Sequence, residues 1–128
     1  MQRKVLIIDD DQDICETMKF TIEKEGIKVL MAFDSASGFK LAKEEKPDLI
    51  LLDVIMKTQD EGFHAAYKFR SDPELMNVPI VMITSVSEVT GFKFDREKDK
   101  DFLPVSDFIE KPVSPQKLVD IVRKYLGR

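Results

Sequence analysis

The order of apolar segments in the sequence predicts an α/β fold with a parallel sheet of five strands. Short, continuous apolar runs such as Val5–Ile8 and Leu49–Leu52 are typical of parallel strands that are buried on both faces. Segments long enough to form helices separate these runs and carry apolar residues at helical spacing. Because strands alternate with helices along the chain, we expect right-handed crossovers that cover both faces of the sheet.

Each of the five predicted strands is a short, mainly apolar run that borders a helix or turn signal. In chain order they are Val5–Ile8, Ile27–Ala32, Leu49–Leu52, Val78–Thr84 and Asp107–Glu110. Pro79 lies near the start of the fourth strand, where a missing N–H is tolerated. Between Ser85 and Ser106, Gly91, Pro104 and a charge-rich run interrupt any long period, so we expect a shortened or irregular fourth helix there.

The ends of the predicted helices are marked by capping residues. Gly26 is placed to end helix 1 in a left-handed conformation. Asp34 or Ser35 can cap helix 2, and Ser114 followed by Pro115 is a typical start for the C-terminal helix. The residues predicted to share one inner face are Ile14, Cys15, Met18 and Ile22 in helix 1, Ala36, Phe39 and Ala42 in helix 2, Phe63, Ala66, Tyr67 and Arg70 in helix 3, and Leu118, Ile121, Val122 and Tyr125 in the last helix.

The composition limits the classes of function that the chain can have. Hydrophobic residues make up 43% and charged residues 34% of 128 residues, which is typical of one globular domain. The longest apolar runs fall far below the roughly 20 residues that span a bilayer. A net charge of −4 disfavours nucleic acid and anionic lipid as partners, and a single cysteine, Cys15, permits no internal disulfide. We therefore expect one domain over residues 1–128 that works in the cytoplasm, with no direct nucleic-acid partner and no membrane segment.

Polar residues follow four of the five predicted strands. Asp9 and Asp10 follow strand 1, Asp53 follows strand 3, Thr84 ends strand 4 and Lys111 follows strand 5. In open parallel sheets, ligands bind outside the carboxyl ends of the strands, where the strand order reverses. This edge of the sheet is therefore the predicted functional site.

Three carboxylates would meet at this edge if strands 1 and 3 are neighbours. Like charges at such short range repel one another, and a hard divalent cation with oxygen ligands relieves that repulsion. Mg²⁺ suits a site of about two carboxylates that is completed by water and a phosphate oxygen. The acidic cluster therefore predicts Mg²⁺ as a cofactor.

The predicted metal and its neighbours suggest phosphoryl transfer, in which catalysis is mostly positioning and charge neutralisation. Asp53 is the candidate nucleophile, because carboxylates can form an acyl phosphate. The Lys111 ammonium would balance negative charge on the phosphoryl group, and the Thr84 hydroxyl could donate a hydrogen bond to it.

Four stretches of the sequence together resemble the response-regulator receiver domains of two-component signalling. These stretches are Val5–Asp11, Pro47–Met56, Pro79–Thr84 and Phe108–Pro112. The resemblance implies a flavodoxin-like, doubly wound (βα)5 sandwich with the parallel strand order 2-1-3-4-5.

The resemblance also implies how the metal and the phosphoryl group are held. Asp53 would be the phosphoacceptor and a metal ligand. Asp10 would bind Mg²⁺ directly and Asp9 through water, and the backbone carbonyl of Ile55 would be a further ligand.

A conformational switch is the third implication of the resemblance. Thr84 and Lys111 would contact the phosphoryl group, and Phe108 would be the switch aromatic. The peptide bond between Lys111 and Pro112 would be cis, which proline makes accessible. The chain departs from the family pattern at Lys57, where the family usually has proline, and in the long connection between Thr84 and Lys111.

These observations lead to a signalling function rather than a turnover enzyme. The expected phosphodonor is a sensor histidine kinase or a histidine phosphotransfer protein, and the output would pass to a further protein or through a homodimer. Two alternatives remain open from the sequence. Asp9 would be the nucleophile if the chain were a phosphatase of the haloacid-dehalogenase type, and a degenerate receiver would bind proteins without being phosphorylated.

Overall fold

The structure is a computed structural model that describes residues 2–53, 61–84 and 106–127. Its elements are β1 (Lys4–Ile8), α1 (Gln12–Glu23), β2 (Lys28–Ala32), α2 (Ser35–Glu45), β3 (Leu49–Asp53), α3 (Glu61–Ser71), β4 (Ile80–Thr84), β5 (Asp107–Glu110) and α4 (Pro115–Leu126). The strands form one parallel sheet in the order β2-β1-β3-β4-β5. The predicted α/β fold and strand order are therefore confirmed. The irregular fourth helix expected between Ser85 and Ser106 lies outside the described residues.

Helices cover both faces of the sheet and divide the core into two layers. Alternate residues of each strand point to opposite faces, so Val5 and Ile7 of β1 contact the layer formed by α1 and α4, while Leu6 and Ile8 face α2 and α3. The strands β1 and β3 are buried on both faces, as their uninterrupted apolar runs predict. Among the described helices, none is long and apolar enough to cross a membrane.

The helix caps follow the residues that the sequence marks. Asp34 rather than Ser35 caps α2, because its carboxylate accepts a hydrogen bond from the Ser37 N–H at 2.7 Å. Ser114 caps α4 in the same way, and Gly26, just beyond the end of α1, has the left-handed φ of 79° that glycine favours.

The predicted inner face of the third helix is only partly right. Ala66 is buried, but Tyr67 is 52% exposed, and Phe69 instead is fully buried and packs against Phe39 with ring centroids 5.6 Å apart. The half-buried Arg70 donates hydrogen bonds to backbone carbonyls of the α3–β4 connection. The sequence offers aromatic residues at both Tyr67 and Phe69, and the apolar ring without a hydroxyl occupies the core.

The second helix contacts the sheet through a glycine. Ala42 is buried as predicted, whereas Ala36 is exposed. Gly38 takes the inner position, and a Cβ at Gly38 would lie 2.5 Å from Cδ1 of Ile8. The glycine that weakens this helix intrinsically is thus what lets its backbone approach β1 closely.

Candidate functional site

The acidic residues after β1 and β3 meet at the carboxyl edge of the sheet. Ile8 and Leu52 are paired in the parallel register of these neighbouring strands, so Asp9 and Asp53, the next residues in each strand, lie side by side. Carboxylate oxygens of Asp9, Asp10 and Asp53 all lie within 4.8 Å of one another. The structure therefore brings together the three carboxylates that the sequence analysis singled out.

Asp9 is the most constrained of these carboxylates. It is 1% exposed, and its Oδ1 accepts a hydrogen bond from the Asp11 N–H at 3.0 Å. Its Oδ2 is buried and has no hydrogen-bond donor within the described part of the chain. Burial raises the pKa of Asp9, and the Asp11 N–H and the Lys111 ammonium oppose that rise. Burial thus makes the ionised form of Asp9 less favourable than that of an exposed aspartate.

Lys111 projects into the same pocket from the end of β5. Its Nζ lies 3.2 Å from Asp53 Oδ1 and 3.6 Å from Asp9 Oδ2. The peptide bond that joins Lys111 to Pro112 is cis, as the family resemblance implies. One ammonium thus donates a hydrogen bond to the buried Asp53 carboxylate and forms an ion pair with that of Asp9.

The donor set fits a hard divalent cation. Three carboxylates that converge from β1, the turn after it and β3 are oxygen ligands of the kind that Mg²⁺ prefers. The buried Asp9 Oδ2, which accepts no hydrogen bond from the described residues, lies in the same cluster. The expected further ligand, the Ile55 carbonyl, lies outside the described residues, as does the unusual Lys57.

The two remaining residues of the predicted site belong to β4 and β5. Thr84 ends β4 and is paired with Glu110 in the register of these strands, so its backbone is beside the strand that leads to Lys111. Phe108 is half-buried and packs against the core layer on the α2 and α3 side of the sheet. An aromatic ring in β5 is therefore in partial contact with both core and solvent.

Cys15 is a contact of the site that the sequence analysis did not identify. Predicted to lie on the inner face of helix 1, it is fully buried, and its Sγ also donates a hydrogen bond to the Asp9 carbonyl at 3.4 Å. Burial, followed by the charge of Asp9 and neighbouring carboxylates, raises the pKa of the Cys15 thiol to about 12. The thiol is therefore protonated at neutral pH and does not add negative charge beneath the pocket. Its place on the inner face of α1, one turn after the acidic residues, is the signal that could have revealed this contact.

In this α/β domain the acidic cluster lies where the strand order reverses, between β1 and β3. The family model described as "Response regulator receiver domain" matches residues 5–123. The chain therefore belongs to this family and is the receiver domain of a two-component response regulator, a signalling protein.

Solved structures share the fold of this chain. A two-component response regulator from Clostridium difficile is 27% identical, with 99% of this chain and 98% of that chain covered and a TM-score of 0.78. Chemotaxis protein CheY4 of Vibrio cholerae is 24% identical over 98% of this chain and 99% of that one, with a TM-score of 0.81. The receiver domain of NtrX from Brucella abortus is 22% identical over 96% of this chain and 98% of that one, with a TM-score of 0.80.

Proposed function

We propose that the chain accepts a phosphoryl group on Asp53 from a phosphohistidine of a sensor histidine kinase or of a histidine phosphotransfer protein. The observation that carries this proposal is the pocket at the carboxyl edge, where the Lys111 ammonium lies 3.2 Å from Asp53 among three clustered carboxylates. A carboxylate next to a fixed positive charge is suited to receive a group that carries negative charge.

The transfer step requires little covalent chemistry from the protein. An oxygen of Asp53 forms a bond to phosphorus while the bond between phosphorus and the donor imidazole nitrogen breaks. The electron pair of that bond returns to the imidazole, and the product on this chain is an acyl phosphate. Lys111 neutralises charge on the phosphoryl oxygens, and the hydroxyl of Thr84 is the proposed donor to another of them.

Asp9, Asp10, Asp53 and the Ile55 carbonyl are the groups proposed to hold Mg²⁺. When bound there, Mg²⁺ would supply positive charge opposite Lys111 and lower the repulsion between the carboxylates and the phosphoryl group. The buried Asp9 Oδ2 supports this assignment, because it is an acceptor that no described donor satisfies.

The proposed output is a change of conformation, in a signalling domain that does not turn over a substrate. The new phosphoryl charge attracts Thr84 and Lys111, which lie at the ends of the neighbouring strands β4 and β5. Phe108, the proposed switch aromatic, lies in β5, three residues before Lys111. We propose residues 1–128 as one receiver domain that works in the cytoplasm and passes the signal to an output protein or to a second copy of the chain.

Incubation with acetyl phosphate tests the proposal. We expect intact-mass analysis to show the addition of one phosphoryl group that depends on Mg²⁺ and is lost in Asp53→Asn. Glu44→Gln, a change at an exposed carboxylate of α2, is the matched control and should be labelled like the wild type.

Two results of this experiment would contradict the proposal. No labelling of the wild type under any Mg²⁺ concentration would favour a receiver that only binds proteins. Steady release of phosphate from a small phosphate ester, retained in Asp53→Asn and lost in Asp9→Asn, would favour the phosphatase alternative.

A further inference from the structure

The strand β5 depends on side-chain contacts for its position. It lies at one end of the described sheet and forms its strand pairing with β4 alone among the described strands. An interior strand such as β3 is held by hydrogen bonds to neighbours on both sides, whereas an edge strand has this support on one side. Contacts at the two ends of β5 therefore have a large influence on where the strand lies.

A polar cluster around a buried carboxylate holds the amino end of this strand. Asp107 is 6% exposed, and its Oδ2 accepts a hydrogen bond from Lys124 Nζ at 3.0 Å. The Tyr125 hydroxyl lies 3.2 Å from the same oxygen and 3.1 Å from the Ser106 carbonyl, so its single proton is available to either acceptor. We call Asp107, Lys124 and Tyr125 the β5 latch. These contacts join the first residue of β5 to the last turns of α4.

At the carboxyl end of β5 the charges are reversed, with a lysine next to the strand and carboxylates from other parts of the chain. There Lys111, directly after β5, contacts the buried carboxylates Asp53 and Asp9. Phe108 lies between the two anchors and is the residue after Asp107, whose Oδ1 accepts a hydrogen bond from the Phe108 N–H at 2.9 Å. A shift of β5 that starts at Lys111 must therefore move Phe108 against the restraint at Asp107.

We propose that the β5 latch is a conformational restraint that ties the first residue of β5 to α4 and so fixes the resting position of the strand that carries Phe108, and that it opposes the response of this strand to events at the acidic cluster. The acceptor of the latch is a buried carboxylate that receives a charge-assisted hydrogen bond from Lys124, and such bonds are stronger than neutral ones. Lys124 is also 56% exposed at its side chain, which leaves its ammonium accessible from solvent.

Amide hydrogen exchange of the full chain tests the restraint directly. Tyr125→Phe removes one hydroxyl and keeps the ring, and Tyr67→Phe makes the same change at a half-exposed tyrosine of α3. We expect about tenfold faster exchange in the peptide that covers β5 of Tyr125→Phe, with unchanged exchange in β1, whereas Tyr67→Phe should leave exchange in β5 unchanged. Asp107→Asn should show the same confined effect, because it removes the charge that Lys124 binds.

General destabilisation would give a different pattern. If exchange of β5 is unchanged in Tyr125→Phe, or if β1 is accelerated by the same factor, the latch does not restrain β5 and the proposal is wrong.

The second arm of the experiment rests on the proposed function. With acetyl phosphate and Mg²⁺, Tyr125→Phe should be phosphorylated roughly threefold faster than the wild type, because the restraint on the responding strand is weaker. If the two phosphorylation rates are equal while exchange in β5 is faster, the claim that the latch opposes the response of β5 is wrong. If the wild type takes up no phosphoryl group, the proposed function fails, and the exchange comparison alone then decides whether the latch exists.

Discussion

Replacement of Gly38 by alanine has two opposing effects on stability, a gain in helix propensity and a steric overlap where α2 contacts β1. In a helix interior, alanine is more favourable than glycine by about 1 kcal/mol. The new methyl group, however, would lie 2.5 Å from Cδ1 and 2.8 Å from Cγ1 of Ile8. Ile8 is fully buried, so it has little room to turn away. This contact also lies directly before Asp9, which connects it to the acidic pocket.

The steric effect should be the larger of the two. Extra methylene groups in a packed core cost about 1–3 kcal/mol, and the contact with Cγ1 near the root of the Ile8 side chain allows less relief than one at its tip. We expect Gly38→Ala to lower the free energy of unfolding by about 1 kcal/mol after the gain in helix propensity is included. Ile8→Val removes Cδ1, so the double variant should be more stable than the sum of the two single changes predicts.

Urea unfolding followed by circular dichroism measures these differences. The pair Lys40→Ala and Lys40→Gly, at an exposed position of the same helix, gives the propensity difference between alanine and glycine without a steric contact. A Gly38→Ala variant that is stabilised by the amount that the Lys40 pair measures would refute the reasoning, and so would strict additivity with Ile8→Val.

Three other predictions address charge and backbone conformation. Asp9→Asn should raise the free energy of unfolding without Mg²⁺ by about 1 kcal/mol, because the buried carboxylate is costly to ionise. In thermal unfolding experiments, added Mg²⁺ should stabilise the wild type and leave the stability of this variant unchanged. Equal stabilisation of both proteins would contradict the assignment of Asp9 as a metal ligand. Lys43 holds the pKa of Asp72 below its usual value, so this ion pair stabilises the folded chain at pH values above the ordinary pKa of an aspartate, and the stabilisation is lost as the pH falls through the lowered pKa of Asp72. In urea unfolding, the difference in unfolding free energy between the wild type and Asp72→Asn at pH 7 should shrink below about pH 4. A difference that stays constant with pH would argue against a stabilising ion pair. Lys46 has a φ of 50° at the end of α2, so Lys46→Gly should increase the unfolding free energy by about 0.5–1 kcal/mol, and a decrease in a urea titration would be the contrary result.

The fold was predictable because its strands carry strong local signals. The runs at β1 and β3 are too short for helices of typical length and too continuous for strands with a solvent face. The face of α3 that points to the core was harder to predict. This helix has aromatic rings at both Tyr67 and Phe69, and only the packing against Phe39 decides which of them is buried. Likewise, the sequence shows that Gly38 weakens a helix but not that Ile8 lies against it.

The proximity of three candidate residues was predictable, but the energetics of their burial were not. Parallel strands in a known order place Asp9, Asp53 and Lys111 at one edge, and the structure has them there. Their burial depends on side chains from several elements, so the rise in the pKa of Asp9 could not be predicted from spacing. The β5 latch was missed for a related reason: Asp107 and Tyr125 are far apart in sequence, and neither belongs to a motif.

The most direct measurement is the chemical location of the transferred group. After incubation with acetyl phosphate and Mg²⁺, borohydride reduces an acyl phosphate of aspartate to homoserine, which peptide mass spectrometry can place in the chain. We expect homoserine at position 53 and at no other acidic residue. Homoserine at position 9, or unmodified aspartate at both positions in a chain that remains folded, would contradict the assignment of Asp53 as the phosphoacceptor.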